Sequence, residues 1–357
     1  MIELLTELLK IESPTYKEKT ILTFIESWLK KEVPAAELTV SEDGILVRLG
    51  TDAEKNTIGL VGHVDVVPAH FEPYIENGKL HGSGASDMKG AVACFLNVLR
   101  EIKDMTDLPY NIALVIYGRE EGTAIENNGL YALLKNEPAF FEGLSLAIAG
   151  EPTDNTVQIG CVGSIHTRIR VKGQACHSAR PWNGENAIYN ALPVIQKLSN
   201  LKPIKHTIFG QDFFDVIQLT ESKSEAGRTS LPGYWEGNVN FRYAPVYSDE
   251  EAIAQFKEIL LECGVPEANQ TLIDAAPAGH VLTTALFQKV VEDLDCPIQA
   301  KQAWTDVAQL TRANIPAFNF GPGLTAQAHQ DNEYIMVDDV KKYYGLIYNF
   351  LTGKSKA

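Results

Sequence analysis

Apolar residues recur at helical spacing through MIELLTELLK, and again where Ile21, Ile25 and Leu29 share a face beside Phe24 and Trp28. Two helices are predicted, parted at Ser13-Pro14-Thr15. Either Ser13 caps the second helix with Pro14 at its first position, or Thr15 and Glu18 form a capping box. The stretch Glu37–Gly50, with Asp-Gly inside it, predicts a hairpin. Four apolar runs then stand out: Asn56–Pro68, Tyr110–Tyr117, Leu144–Ala149 and Pro316–Phe320. Such runs suit strands buried on both faces, and helices at Ala91–Ile102 and Gly129–Lys135 fall between them. The alternation predicts an α/β fold, a mostly parallel sheet flanked by helices.

From about Gly163 the pattern changes. A strand (Ser164–Gly173), a helix (Glu185–Leu198), two strands (Asp215–Thr220 and Trp235–Tyr243), a helix (Ser248–Cys263) and a strand (Gln270–Asp274) follow in turn. That order is β-α-β-β-α-β, the ferredoxin-like α+β sandwich. The α/β pattern resumes at the helix around Thr284–Asp293, so the sandwich reads as an insertion. The expected division is a first domain of residues 1–162 and 277–357, and an inserted domain of residues 163–276.

Composition narrows the partners. With 45% hydrophobic and 22% charged residues, the chain resembles ordinary globular proteins, and 357 residues suit two domains. A formal charge of -15 argues against nucleic acid or an anionic membrane as partner. Five scattered cysteines without CxxC spacing fit reduced thiols. The N-terminus lacks a basic leader and cleavage site, and no apolar run reaches membrane-spanning length, so a cytoplasmic protein is expected.

Polar residues with chemistry cluster just after the predicted strands: His63, Asp65, Asp87, Glu120, Glu121, Glu151 and His329. The carboxyl ends of strands form the ligand-binding rim of open α/β sheets. Asp87 alone could be a helix cap, in the glycine-rich stretch GKLHGSGASDMKGA. Five carboxylates converging on one rim would repel unless cations held them, which points to a metal centre. Imidazole and carboxylate donors suit zinc, with cobalt or manganese as substitutes. The donors exceed the needs of one ion and fit a carboxylate-bridged pair about 3.5–4 Å apart. Asp65 is placed to orient His63, since a ligating imidazole donates its other N–H to an acceptor. Of Glu120 and Glu121, one ligates and the other serves as general base.

The segments GHVDVVP, HGSGASDMKG, GREEG, GEPT, GQACHSARPWNG, NFRYAP, WTDVAQ, FGPG and AHQDNE occur in order from about Leu60 to Glu333. Together they resemble the motifs of the di-zinc amidohydrolase/aminopeptidase-like superfamily, which includes aminoacylases, acetylornithine deacetylases and glutamate carboxypeptidases. The resemblance implies a zinc-peptidase-like catalytic domain with an inserted lid and dimerisation domain. It implies two Zn2+ ions, with His63 and Glu151 on one, Glu121 and His329 on the other, and Asp87 bridging. It makes Asp65 the residue that orients His63, and Glu120 the general acid/base. His177 would reach the active site of a second copy and help hold the oxyanion, in a homodimer formed through the inserted domain. Within the superfamily, GEPTDNTVQIGCVGS, HSARPWNGENAI and AWTDVAQL look most like the bacterial succinyl-diaminopimelate desuccinylase branch, which hydrolyses a small N-acyl amino acid. Arg242 and Arg180 would hold substrate carboxylates. The loop EAGRTSLP departs from that branch, placing Thr229 where an asparagine contacts substrate.

Plainer readings stand beside these. His177 suits a surface turn, Arg242 a solvated strand face, and Arg180 a neighbouring acid. Cys161 and Cys176 suit buried structural thiols. Gly82-x-Gly84 lacks the rest of a dinucleotide loop. Asp306 reads as the cap of the helix that follows it. A metal-binding scaffold with a dead site is the non-enzyme alternative.

Overall fold

The computed structural model describes residues 1–354 except Pro68 and Ala226. Pro68, at the end of the GHVDVVP motif, and Ala226, in the EAGRTSLP loop, therefore lie outside the described residues. The chain forms two compact units. One comprises Met1–Gly160, Val281–Ala300 and Thr305–Ala357; the other comprises Cys161–His280 and Lys301–Trp304. The second unit runs a few residues past the expected limits and recruits a short later segment. Trp304 Nε1 donates to the Pro277 carbonyl, and Gln302 exchanges two hydrogen bonds with the backbone of Phe214.

The first unit is built on eight strands, in the order Glu37–Val40, Gly44–Leu49, Asn111–Tyr117, Thr57–His63, Leu146–Ala149, Ala317–Asn319, Val157–Ile159 and Ile298–Ala300. The middle four run parallel, and antiparallel pairings flank them. Val, Ile, Leu and Ala fill these middle strands because both faces are covered. Their register is what matters for the site. His63 lies level with Tyr117, and Val61 with Ala149, so three strands end on one rim.

Helix Gly90–Ile102 is buried along nearly its whole length. Phe95 meets Tyr343 of the long helix Val337–Thr352, which the sequence reading did not anticipate. Burying each such large side chain contributes about 1.5–3 kcal/mol. Lys89 caps helix Gly90–Ile102 by position only, so the cap reading of Asp87 fails and its carboxylate is left for the rim. The second helix begins at Lys19, later than either capping scheme requires. Glu18 does not cap it, because its carboxylate accepts the backbone N–H groups of Tyr16 and Arg119.

The second unit carries the sheet order Ile204–Ile208, Gln211–Ser224, Tyr234–Tyr243, Gly163–Lys172, Gln270–Ala276. Its last four strands have the ferredoxin-like arrangement, and Ile204–Ile208 adds an edge. One face packs on helices Ala187–Asn200 and Asp249–Glu262 around Ile169, Val239, Phe241 and Phe256. Ser248 and Glu251 close a capping box on the second helix.

Candidate metal centre

The site assembles on the rim of the first unit. His63 ends its strand and is buried, with Nε2 3.4 Å from Asp87 Oδ1. Its Nδ1 lies 3.1 Å from the backbone carbonyl of Asp65 and 3.6 Å from that residue's carboxylate. The Asp65 side chain also serves the neighbouring strand end. Its oxygens accept the N–H groups of Glu120 (3.1 Å) and Glu121 (2.9 Å), and the hydroxyl of Thr15 (3.2 Å). Asp65 thus ties down the turn that carries both glutamates, while its carbonyl and carboxylate both face the His63 Nδ1.

His63, Asp87 and Glu121 each offer one ligand atom within 4.8 Å of the others. His329 completes the group, its Nε2 3.0 Å from Glu121 Oε2 and 3.7 Å from Asp87 Oδ2. Glu151 is buried two residues beyond its strand, and its charge is felt at Glu120. Gly84, at φ 84°, turns the chain ahead of Asp87, and a Cβ there would stand 2.5 Å from Val66 Cγ1.

Electrostatics follow from this crowding. Burial pulls the His63 imidazole down, but the hydrogen bond to Asp87 and the nearby carboxylates push it well above its ordinary value. The hydrogen bond to Glu121 is the main cause that lifts His329 to about 9. Burial, together with neighbouring carboxylates, raises Glu120 well above the usual carboxylate range despite the pull of His63. Burial likewise raises Glu121 against the pull of His329. Two glutamates and two imidazoles that hold protons more tightly mark a pocket short of positive charge. A divalent cation is the species that would displace those protons. The donor set fits one.

Two groups behind the rim have partners that their sequence positions do not announce. The Asp306 carboxylate caps nothing. It accepts from the Tyr117 hydroxyl at 2.5 Å, and from the side chains of Asn128 and Gln309. Glu333 sits in AHQDNE without an assigned role, and its carboxylate accepts three backbone N–H groups of the loop bearing Asp87.

The other four candidates lie in the second unit. His177 is exposed on a two-residue strand opposite Ser230, and the Thr229 carbonyl accepts the Ser178 N–H at 2.8 Å. Arg180 donates its N–H to the His177 carbonyl, so those two share one turn, and Thr229 adjoins it through the antiparallel pairing of Cys176–His177 with Ser230–Leu231. Arg242 stands apart on the sheet, where Nε donates to Asn240 Oδ1 at 3.0 Å and burial lowers its pKa.

Fold and site define a metal-dependent hydrolase of amide bonds. Residues 59–353 match the description "Peptidase family M20/M25/M40", and the chain belongs to that family. Among curated relatives, the succinyl-diaminopimelate desuccinylase of Corynebacterium glutamicum is 29% identical over 98% of this chain and 96% of its own length. The enzyme of the same name from Rickettsia felis is 28% identical, over 98% of each chain. Among solved structures, a tripeptidase from Staphylococcus aureus superposes with a TM-score of 0.77 at 16% identity, covering 99% of this chain and 97% of that one. The M20 family metallo-carboxypeptidase of Sulfolobus solfataricus gives 0.74 at 18% identity, over 98% of both chains.

Proposed function

We propose that this chain removes the succinyl group from N-succinyl-LL-2,6-diaminopimelate, using two zinc ions held by His63, Asp87, Glu121, Glu151 and His329. The observation that carries the two-ion reading is Asp87, whose two oxygens face different imidazoles. The substrate assignment rests on the full-length relatives named for that reaction. Imidazole and carboxylate donors favour zinc, and cobalt or manganese would substitute. When bound, the ions polarise the scissile carbonyl and make water acidic enough to attack it.

Glu120, half-buried and beside the ligand Glu121, takes the proton of the attacking water and returns it to the departing amine. Its raised pKa suits a group that must both accept and release a proton. His177 supplies a donor to the developing oxyanion from a second copy of the chain. Arg242 and Arg180 hold carboxylates of the substrate, with Thr229 beside them. The dimer forms through the inserted unit, where Trp182, Tyr189 and Leu192 are 77%, 68% and 54% exposed. Free thiols suit a cytoplasmic setting.

The test is a panel of initial rates on zinc-loaded protein. N-succinyl-diaminopimelate should exceed N-acetylornithine and simple dipeptides in kcat/KM. Preference for either competitor overturns the substrate assignment and points to Thr229 as the residue that shifted specificity.

A further inference from the structure

We propose that Glu333 is a positioning residue that sets the Asp87 carboxylate in place before any metal arrives. The proposal rests on the reading of Asp87 as a metal ligand. Glu333 is fully buried, and its Oε2 accepts the Gly84 N–H at 2.6 Å. Its Oε1 accepts from Ser86 at 2.8 Å and from Asp87 at 2.9 Å. The amides of Gly84, Ser86 and Asp87 converge on one carboxylate, an anion-binding arrangement whose acceptor comes from the chain itself. One of the three donors is the backbone N–H of Asp87, so the grip acts on the ligand residue directly.

The contact also fixes one ligand relative to another. Glu333 lies four residues after His329. Its backbone carbonyl accepts the Gly82 N–H at 3.1 Å, and the Tyr334 carbonyl accepts the Ser86 hydroxyl at 2.7 Å. The two segments are therefore joined on both sides of the carboxylate. Asp87 and His329 come from distant parts of the sequence, and Glu333 holds the spacing between them. Ligands held in this way bind metal without first ordering their loops.

Glutamine at 333 keeps the shape but turns an NH2 toward at least one of the three amides. Aspartate keeps the charge on an arm one methylene shorter. Cobalt titration followed by its visible absorption reads the site without turnover. Glu333→Gln should bind cobalt roughly tenfold to a hundredfold more weakly, with an altered spectrum. Glu333→Asp should recover part of the loss. Wild-type affinity and spectrum in Glu333→Gln would overturn the proposal.

Hydrogen exchange on the wild-type protein decides the matter should that variant not fold. The Gly84, Ser86 and Asp87 amides should be protected in metal-free protein. Protection that appears only after metal is added would also overturn it. A wild-type chain that takes up no cobalt defeats the metal-site reading itself, a result separable from uptake that is indifferent to Glu333.

Discussion

His63 and His329 approach opposite oxygens of one carboxylate. The His63 Nε2 lies 3.4 Å from Asp87 Oδ1, and the His329 Nε2 lies 3.7 Å from Asp87 Oδ2. This placement of Asp87 between two imidazoles is the basis of the proposed bridge. Replacing Asp87 with Ala should therefore cut bound zinc from two ions per chain to one or none. Plasma emission analysis of dialysed protein gives the count, and two retained ions would remove Asp87 from the bridge.

Glu120 is the proposed base and no ligand. Glu120→Gln should keep both metals while kcat falls by roughly 10²–10⁴, the range for loss of general acid–base catalysis. Near-normal turnover with full metal content would dismiss the assignment.

Proton release gives a test by pH. The hydrogen bond to Glu121 pushes His329 up to about 9 in the metal-free site. A divalent ion needs the neutral imidazole, so below pH 9 binding must expel that proton. Apparent zinc affinity should climb as pH rises toward 9. Calorimetry at pH 7.5 in buffers of different ionisation enthalpy should report protons released. Affinity that is flat from pH 7 to 9 would show that His329 does not bind the ion.

How far this site was legible beforehand varies with the range of the interactions. The strands Thr57–His63 and Asn111–Tyr117 declare themselves because both of their faces are buried, leaving unbroken apolar runs. The rim residues follow, since each sits just past such a run. Strands Val157–Ile159 and Ile298–Ala300 are three residues long, too short to carry a period. Helix Val337–Thr352 has no side-chain cap to announce its start. In sequence Glu18 and Asp306 look like local caps, yet the Asp306 carboxylate is engaged by Tyr117, 189 positions away. The role of Glu333 depends on amides up to 249 positions distant, which no local pattern encodes.

The Asp306 cluster yields a stability prediction. Tyr117→Phe removes a buried hydroxyl donor from a buried carboxylate. The cost should be about 1–3 kcal/mol, read from urea unfolding of metal-free protein. An unchanged midpoint would mean that Asn128 and Gln309 suffice.

The exposed apolar residues of the inserted unit predict assembly. Leu192→Glu should convert a dimer to a monomer by light scattering, with zinc content unchanged. A wild-type protein already monomeric at micromolar concentration would exclude a stable dimer.

The most direct measurement is anomalous diffraction at the zinc edge from crystals grown with the metal. Two peaks about 3.5–4 Å apart, one on each side of Asp87, are expected. A single peak, or none between His63 and His329, would contradict the account.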